Sequence, residues 1–84
     1  MTKPAKLHEL LRRNPSTVVA FRDFIRLIEA FGFEHKRSKG SHRSFRHPSE
    51  PEVVTIQPLG KDAARYQVED FLEMVEQFDL HMGR

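Results

Sequence analysis

The spacing of apolar residues changes twice along this chain, and that change limits the folds open to it. Near both ends, large apolar side chains recur every three or four residues, which is typical of helices with one buried face. In the middle, apolar and polar residues alternate, as they do in strands that are buried on one side. Helices on both sides of a run of strands predict a two-layer α+β domain.

Three segments carry the helical spacing. The first is short and is expected to end at Asn14-Pro15, because proline disfavours helical backbone in the residue before it. The second is expected to end at Gly32. Its start stays open between a cap at Ser16 or Thr17 and an extended segment over residues 18–20. The three apolar faces consist of Leu7, Leu10 and Leu11; Phe21, Phe24, Ile25, Ile28 and Phe31; and Val68, Phe71, Leu72, Val75 and Phe78.

Three strands are predicted between the second and third helices, over residues 33–37, 41–47 and 53–57. Ser38-Lys39-Gly40 is expected to form a tight turn in which Gly40 supplies a positive φ. Residues 48–51 are expected to turn the chain again, and residues 58–61 to end the sheet. The prediction is an antiparallel three-stranded sheet with both long helices on one face. Residues 1–15 are then an N-terminal helical extension of a domain over residues 16–84.

The composition excludes several classes of protein. The chain has 84 residues and no cysteine, so disulfides and thiolate zinc sites are ruled out. No apolar run approaches the roughly 18 residues that a membrane span needs. The first six residues lack the apolar core of a secretory signal. We therefore expect a cytoplasmic protein that does not act at a membrane.

Charge is distributed unevenly although the formal net charge is only +2. Residues 35–47 hold five cations, three of the five histidines and no acid, whereas residues 62–79 are mainly acidic. A cationic block in a small domain favours binding to phosphate groups. The alternative is a solvated basic hairpin without a ligand.

Strand alternation predicts which side chains share the face of the sheet away from the helices. Phe33, Phe45 and Ile56 are expected to point towards the helices. The opposite face then lacks large apolar and aromatic side chains, which argues against a second buried layer and against a base-stacking platform. We call it the open face, and it is expected to hold Lys36, His42, Ser44, Arg46, Thr55 and Gln57.

His42 is the strongest candidate for chemistry. It follows a tight turn at the start of a strand, where the ladder would hold an exposed imidazole in a defined direction. Free histidine titrates near pH 6.5, which suits proton transfer at physiological pH. The alternative is an ordinary surface histidine. A zinc site with His35 and His47 is not favoured, since alternation places those two residues on the other face. Tyr66 is expected to pack on the core at the start of the last helix.

Several short motifs, taken in order, resemble the HicA toxin family over residues 21–80. They are Phe31-Gly32-Phe33, Gly40-Ser41-His42, Phe45-Arg46-His47-Pro48, Val54-Thr55-Ile56 and the helix from Val68 to Leu80. The N-terminal extension is also similar to that of a longer subgroup. The resemblance implies the fold of a double-stranded-RNA-binding domain. It also implies a metal-independent endoribonuclease of bacteria or archaea, without a cofactor, which cuts messenger RNA and is held inactive by a HicB-type antitoxin.

The catalytic histidine of that family corresponds to His42, and Gly40 is assigned to the structure of the turn. Three departures from the family pattern concern local stability. Asp79 replaces a glycine after the last helix, Ala20 replaces a capping threonine, and Gln57-Pro58 replaces a shorter strand end. The residues expected to contact RNA are Lys36, Arg37, Lys39, Ser41, Arg43, Ser44 and Arg46.

Three functions remain as alternatives. In a ribonuclease, His42 would take the proton of the RNA 2′-hydroxyl while cations stabilise the charged phosphate. A non-catalytic RNA-binding module of the same fold would read the shape of an A-form helix and would not need His42. An interaction protein would use its acidic last helix to bind a basic partner. The sequence leaves homo-oligomerisation open.

Overall fold

The computed structural model describes residues 3–49 and 53–82, in which three helices flank a three-stranded sheet and a small hairpin. None of the helices in these ranges is both long enough and apolar enough to span a bilayer. The second predicted turn falls partly outside these ranges, at residues 50 and 51. The elements are α1 Pro4–Arg13, α2 Phe21–Ala30, β1 Glu34–Lys39, β2 His42–Arg46, β3 Val53–Ile56, β4 Pro58–Leu59, β5 Asp62–Ala63 and α3 Arg65–Gln77.

The main sheet has the strand order β1-β2-β3, and both pairings are antiparallel. Phe45 in the central strand and Ile56 in β3 are buried on the face that packs on the helices. The predicted two-layer α+β architecture is therefore confirmed. The division of the chain at residue 15 stays a prediction.

Four phenylalanine rings hold the two layers together. Phe71 of α3 meets Phe24 of α2 at 5.8 Å between ring centroids, and it meets Phe31 and Phe33 at 5.7 and 5.6 Å. All three contacts are edge-to-face, the arrangement that aromatic quadrupoles favour. Because Phe31 and Phe33 lie on either side of Gly32, they join the end of α2 and the approach to β1 to the same core.

The start of α2 is held by backbone pairing and not by a side-chain cap. The carbonyl of Val19 accepts a hydrogen bond from the amide of Ala63 at 2.8 Å, and the amide of Phe21 donates to Lys61 at 3.0 Å. Ala20, the residue before α2, makes no side-chain hydrogen bond to the helix, because its methyl group has no polar atom. Of the two starts considered, the extended segment is therefore correct. The chain does leave the main sheet at residues 58–61 as predicted, but it forms the small β4–β5 hairpin that supports this pairing.

Two helices end in a residue with left-handed backbone. Gly32 follows α2 with φ +96°, as predicted, and an added Cβ there would lie 3.2 Å from Nε2 of His47. Asp79 follows α3 with φ +53°. The amide of Leu80 donates to the carbonyl of Val75 at 2.9 Å, which closes the last turn. Aspartate tolerates this conformation better than most residues, but less well than glycine.

Helix α1 packs on the same core through one face. Leu7 and Leu11 are buried among the core residues of α2 and α3. His8, half-buried, meets the ring of Phe31 edge-on at 5.1 Å. Burial lowers the pKa of His8, and the guanidinium of Arg12 lowers it further, against smaller opposing effects of Glu9 and Glu76.

This lowered pKa predicts a loss of stability in mild acid. The unfolded chain binds a proton at His8 near pH 6.5, before the folded protein does. The free energy of unfolding should therefore fall as the pH decreases below about 6.5, until the folded-state pKa is passed. Urea denaturation at about pH 7.5 and 5.5 should show a smaller loss for His8→Gln than for the wild type. His42→Gln, at an exposed position whose side chain contacts no described residue, is the matched control. An unchanged loss in His8→Gln would contradict the assignment.

Candidate nucleic-acid interface

The β1–β2 hairpin turns at Gly40-Ser41, and this turn sets the position of His42. Lys39 and His42 are the last paired residues, so the loop between the two strands contains only Gly40 and Ser41. Gly40 has φ +60°, and nothing lies within 4 Å of an added Cβ, so glycine is required here for its backbone conformation alone. The turn was predicted at residues 38–40, but Ser38 and Lys39 still belong to β1, so the prediction was wrong for these two residues.

A β-bulge in β1 changes which of its side chains reach the open face. His35 pairs with Phe45 and Arg37 pairs with Ser44, which leaves Lys36 as an extra residue between them. Beyond the bulge, the alternation of faces is shifted by one residue. Arg37 and Lys39 therefore lie opposite open-face residues of β2, although simple alternation from Phe33 would have placed them on the helix side.

The pairing arranges the open face in three rows across the sheet. Lys39 lies opposite His42 in the first row, next to the turn. The second row is Arg37, Ser44 and Thr55, in which the two hydroxyl oxygens are 3.2 Å apart. The third row is Glu34, Arg46 and Val53. Paired residues on neighbouring strands have Cβ atoms about 4.5–5.5 Å apart, so the side chains of a row can contact one ligand together.

The cations of the open face fall into two groups. Lys36 donates to Oε1 of Glu34 at 3.1 Å, and Glu34 also lies opposite Arg46 in the third row. Arg37 and Lys39 are exposed, and neither side chain is hydrogen-bonded or ion-paired to the described part of the chain. An anion beside His42 would therefore meet two cations that no described carboxylate contacts, whereas the third row already holds a carboxylate.

One residue expected near this site lies elsewhere. Arg43 pairs with the buried Ile56, and its guanidinium carbon is 5.9 Å from the ring centroid of Phe21, so it lies on the helix side. Gln57 follows the end of β3, next to the Arg43–Ile56 pair, and its backbone N–H donates to Oε1 of Gln67 at 3.2 Å. Ser41 lies in the turn, beside His42. Arg43 therefore does not share the surface around His42.

The other histidines of the basic segment do not join His42. His35 packs its ring on Phe45 and contacts Oγ of Ser38 at 2.8 Å. His47 packs against Phe33 and contacts Oγ of Ser49 at 3.0 Å through Nδ1. Phe33 and Phe45 belong to the core, so both rings lie on the side of the sheet away from His42. Within the described ranges, no three side chains of metal-ligating type come together.

The exposed imidazole of His42 can accept or donate a proton, with Lys39 and Arg37 beside it to stabilise negative charge. Sequence reasoning found the histidine, the cations and the outward carboxylate of Glu34, but it missed the bulge. A signal for the bulge was present. Counting back from a two-residue turn at Gly40-Ser41 places Arg37 outward, whereas counting forward from an inward Phe33 places it inward. The two counts agree only if β1 contains one extra residue.

One comparison with known proteins identifies a family. A family model described as HicA toxin of bacterial toxin-antitoxin matches residues 21–76, which run from the start of α2 almost to the end of α3. The match includes the whole main sheet and leaves α1 outside. No curated protein and no solved structure matches the chain.

Proposed function

Because this chain belongs to the HicA family of toxins from bacterial toxin–antitoxin systems, we propose that it is a metal-independent endoribonuclease that cuts messenger RNA and inhibits growth. The family makes the protein a toxin with a HicB antitoxin as its partner. The observation that supports catalysis is the place of His42, which is exposed at the end of the hairpin and paired with Lys39. Arg37 and Lys39 on the same face contact no carboxylate of the described residues.

RNA supplies its own nucleophile in this reaction. His42 takes the proton of a 2′-hydroxyl, and the oxygen attacks the adjacent phosphorus. The bond from phosphorus to the 5′-oxygen breaks, which leaves a 2′,3′-cyclic phosphate on one fragment and a 5′-hydroxyl on the other. Water supplies the proton that the leaving oxygen takes up. General-base catalysis of this kind contributes roughly 10²–10⁴ to a rate.

Arg37 and Lys39 bind the phosphate at which the reaction occurs. Their positive charge faces the negative charge that grows on the phosphate oxygens in the transition state. Lys36 and Arg46 lie in or beside the row that contains Glu34, so they contribute less to the field at His42. They extend the contact along the RNA backbone. Ser44 and Ser41 are placed to hydrogen-bond phosphate or ribose oxygens next to the histidine.

The antitoxin inhibits by covering the open face. His42 is exposed on β2, and none of the described helices and strands covers it. A partner with an acidic surface would be drawn to Arg37 and Lys39 and would exclude RNA. A stable complex of this kind buries at least about 1,200 Å² in total.

Replacement of the histidine should separate catalysis from binding. His42→Ala should abolish RNA cleavage and growth inhibition, with unchanged circular dichroism, because the side chain is exposed and makes no contact in the described core. His81→Ala should remain fully toxic. RNA that is still bound but not cut by His42→Ala would agree with the mechanism. A folded His42→Ala protein with full activity would instead favour a binding module or a different catalytic group.

The same assay tests the independence from metal. Cleavage should continue in EDTA, since the side chains placed next to His42 are cations and hydroxyls. Loss of cleavage on chelation, with recovery on addition of a divalent ion, would contradict the metal-independent mechanism while leaving the toxin assignment intact.

The two groups of cations should differ in the salt dependence of RNA binding. Arg37→Gln/Lys39→Gln should reduce the slope of log K against log salt by roughly 1–2, because each cation neutralises up to one phosphate. Lys36→Gln/Arg46→Gln should reduce it less, since Glu34 offsets part of their charge. Lys3→Gln/Lys6→Gln, at and just before the start of α1, is the control and should leave the slope unchanged. An equal reduction in all three variants would show that RNA binding is not localised on the open face.

Hydrogen exchange on the toxin–antitoxin complex should locate the inhibitory contact. Protection should concentrate between residues 36 and 46 if the antitoxin covers His42. The isolated toxin is the reference. Protection restricted to α3, with RNA still cut in the complex, would contradict steric inhibition.

A further inference from the structure

The outer edge of β3 offers a second surface, distinct from the open face. In the described residues β3 pairs with β2 alone, so part of its backbone N–H and C=O groups point away from the sheet without a strand partner. Such an edge is a template for an added strand. The backbone N–H of Gln57, just beyond β3, already donates a hydrogen bond to the side-chain oxygen of Gln67. The available edge therefore runs from Val53 to Ile56.

A groove separates this edge from α3. Its volume is about 360 Å³, and it lies between β3 and one face of the helix. The floor is apolar, formed in part by Val54 and Ile56 of the strand and by Phe71 and Met74 of the helix. A ligand in the groove could therefore pair with the backbone of β3 and cover apolar surface at the same time.

Exposed apolar side chains mark the groove and its surroundings. Val53 and Tyr66, which line the groove, are 56% and 59% exposed. Leu59 in β4, which follows β3 in the chain, is 71% exposed. The expectation that Tyr66 packs on the core was thus wrong. Its place in the second residue of α3 directs the ring to the end of the groove, because the core side of this helix is taken by Val68 and Phe71.

The charge of the groove is opposite to that of the open face. Asp70 and Glu73 are exposed on its helix wall, and its described lining contains no lysine or arginine. A cation placed over the apolar floor would meet both carboxylates. Arginine and lysine suit this position, since their stems can cover apolar surface while their charged ends reach the carboxylates.

We propose that the groove binds an extended segment of a partner protein, which adds to β3 as a fourth strand and carries alternating arginine or lysine residues. The side chains of an added strand point alternately to the two faces of the sheet. Those on the helix side lie over Val54 and Met74 and end at Asp70 and Glu73. Those on the other side lie next to Val53 and Thr55 and are apolar or neutral, because the open face is already cationic.

A second copy of this chain fits the groove poorly. Two copies joined through their β3 strands would share a two-fold axis and would bring the same surface of each into the contact. Asp70 and Glu73 of one copy would then face Asp70 and Glu73 of the other across the paired strands. This like-charge repulsion favours a basic partner over self-association.

Because the inference uses neither His42 nor RNA, it can fail or succeed independently of the proposed function. The probe is a synthetic peptide of about seven residues that alternates arginine and valine, long enough to pair along β3. It is titrated into the full-length, isotope-labelled protein without RNA. Amide resonances of residues 53–56 and 66–77 should shift, and amide exchange in β3 should slow.

Two control peptides and two double variants separate strand addition from charge attraction. A peptide of the same sequence with N-methyl groups on the edge that faces β3 should not bind, because it cannot complete the ladder. A peptide that alternates glutamate and valine should not bind either. Asp70→Asn/Glu73→Gln should weaken binding about 2- to 30-fold, since exposed ion pairs contribute roughly 0.2–1 kcal/mol each. Glu69→Gln/Glu76→Gln removes the same charge from α3 outside the groove and should have no such effect.

Each contrary result would overturn the proposal. Equal binding of the N-methylated peptide would show an electrostatic contact without strand pairing. Shifts confined to residues 34–46, or no shifts, would show that the groove is not a binding site for such a segment. Shifts of residues 53–56 that depend on protein concentration in the absence of peptide would assign the groove to a second copy of this chain.

Discussion

The register between β1 and β2 is the constraint on which the candidate site depends. It is set at one end by Gly40, whose positive φ lets a two-residue turn place Lys39 opposite His42. At the other end, Phe33 must point into the core. The segment from Phe33 to the turn has one residue more than a regular strand could hold with both ends in these positions. The bulge at Lys36 accommodates that residue. As a result, Arg37 and Lys39 lie on the same face as His42 while Phe33 and Phe45 remain buried.

The core explains why that face stays available. Phe71 packs against rings from α2 and from the residues around Gly32, so both helices are held on one side of the sheet. Leu7 and Leu11 of α1 add to this same core. The described elements thus leave the other side of the sheet to solvent, with charged and hydroxyl side chains where a buried face would need apolar ones. An exposed face of this kind suits a toxin whose partner is a separate antitoxin protein.

The two surfaces of the molecule differ in charge and in their means of binding. In the proposed function, the open face presents side-chain cations to phosphates, and its contacts are expected to weaken with salt. The groove beside β3 presents backbone groups, apolar residues and the carboxylates of Asp70 and Glu73. The two surfaces adjoin at Val53 and Thr55, which belong to both, but their charged groups are different. RNA and a strand-forming partner would therefore be recognised by different charged groups of the same small domain.

The sequence by itself determined the fold class, the order of the main elements and the inward direction of Phe45, because these depend on local periodicity and on turn residues. It also predicted the exposed position of His42, whose role in catalysis stays a prediction. The family resemblance, carried by short motifs, was confirmed by the family model that matches residues 21–76. Only the tertiary structure decided that Arg37 and Lys39 join His42 while Arg43 packs against Phe21. It also decided that Tyr66 is exposed beside an unpaired strand edge. These features follow from how two strands align and how a helix sits beside them, and pairing between distant segments leaves little trace in the spacing of residues along one segment.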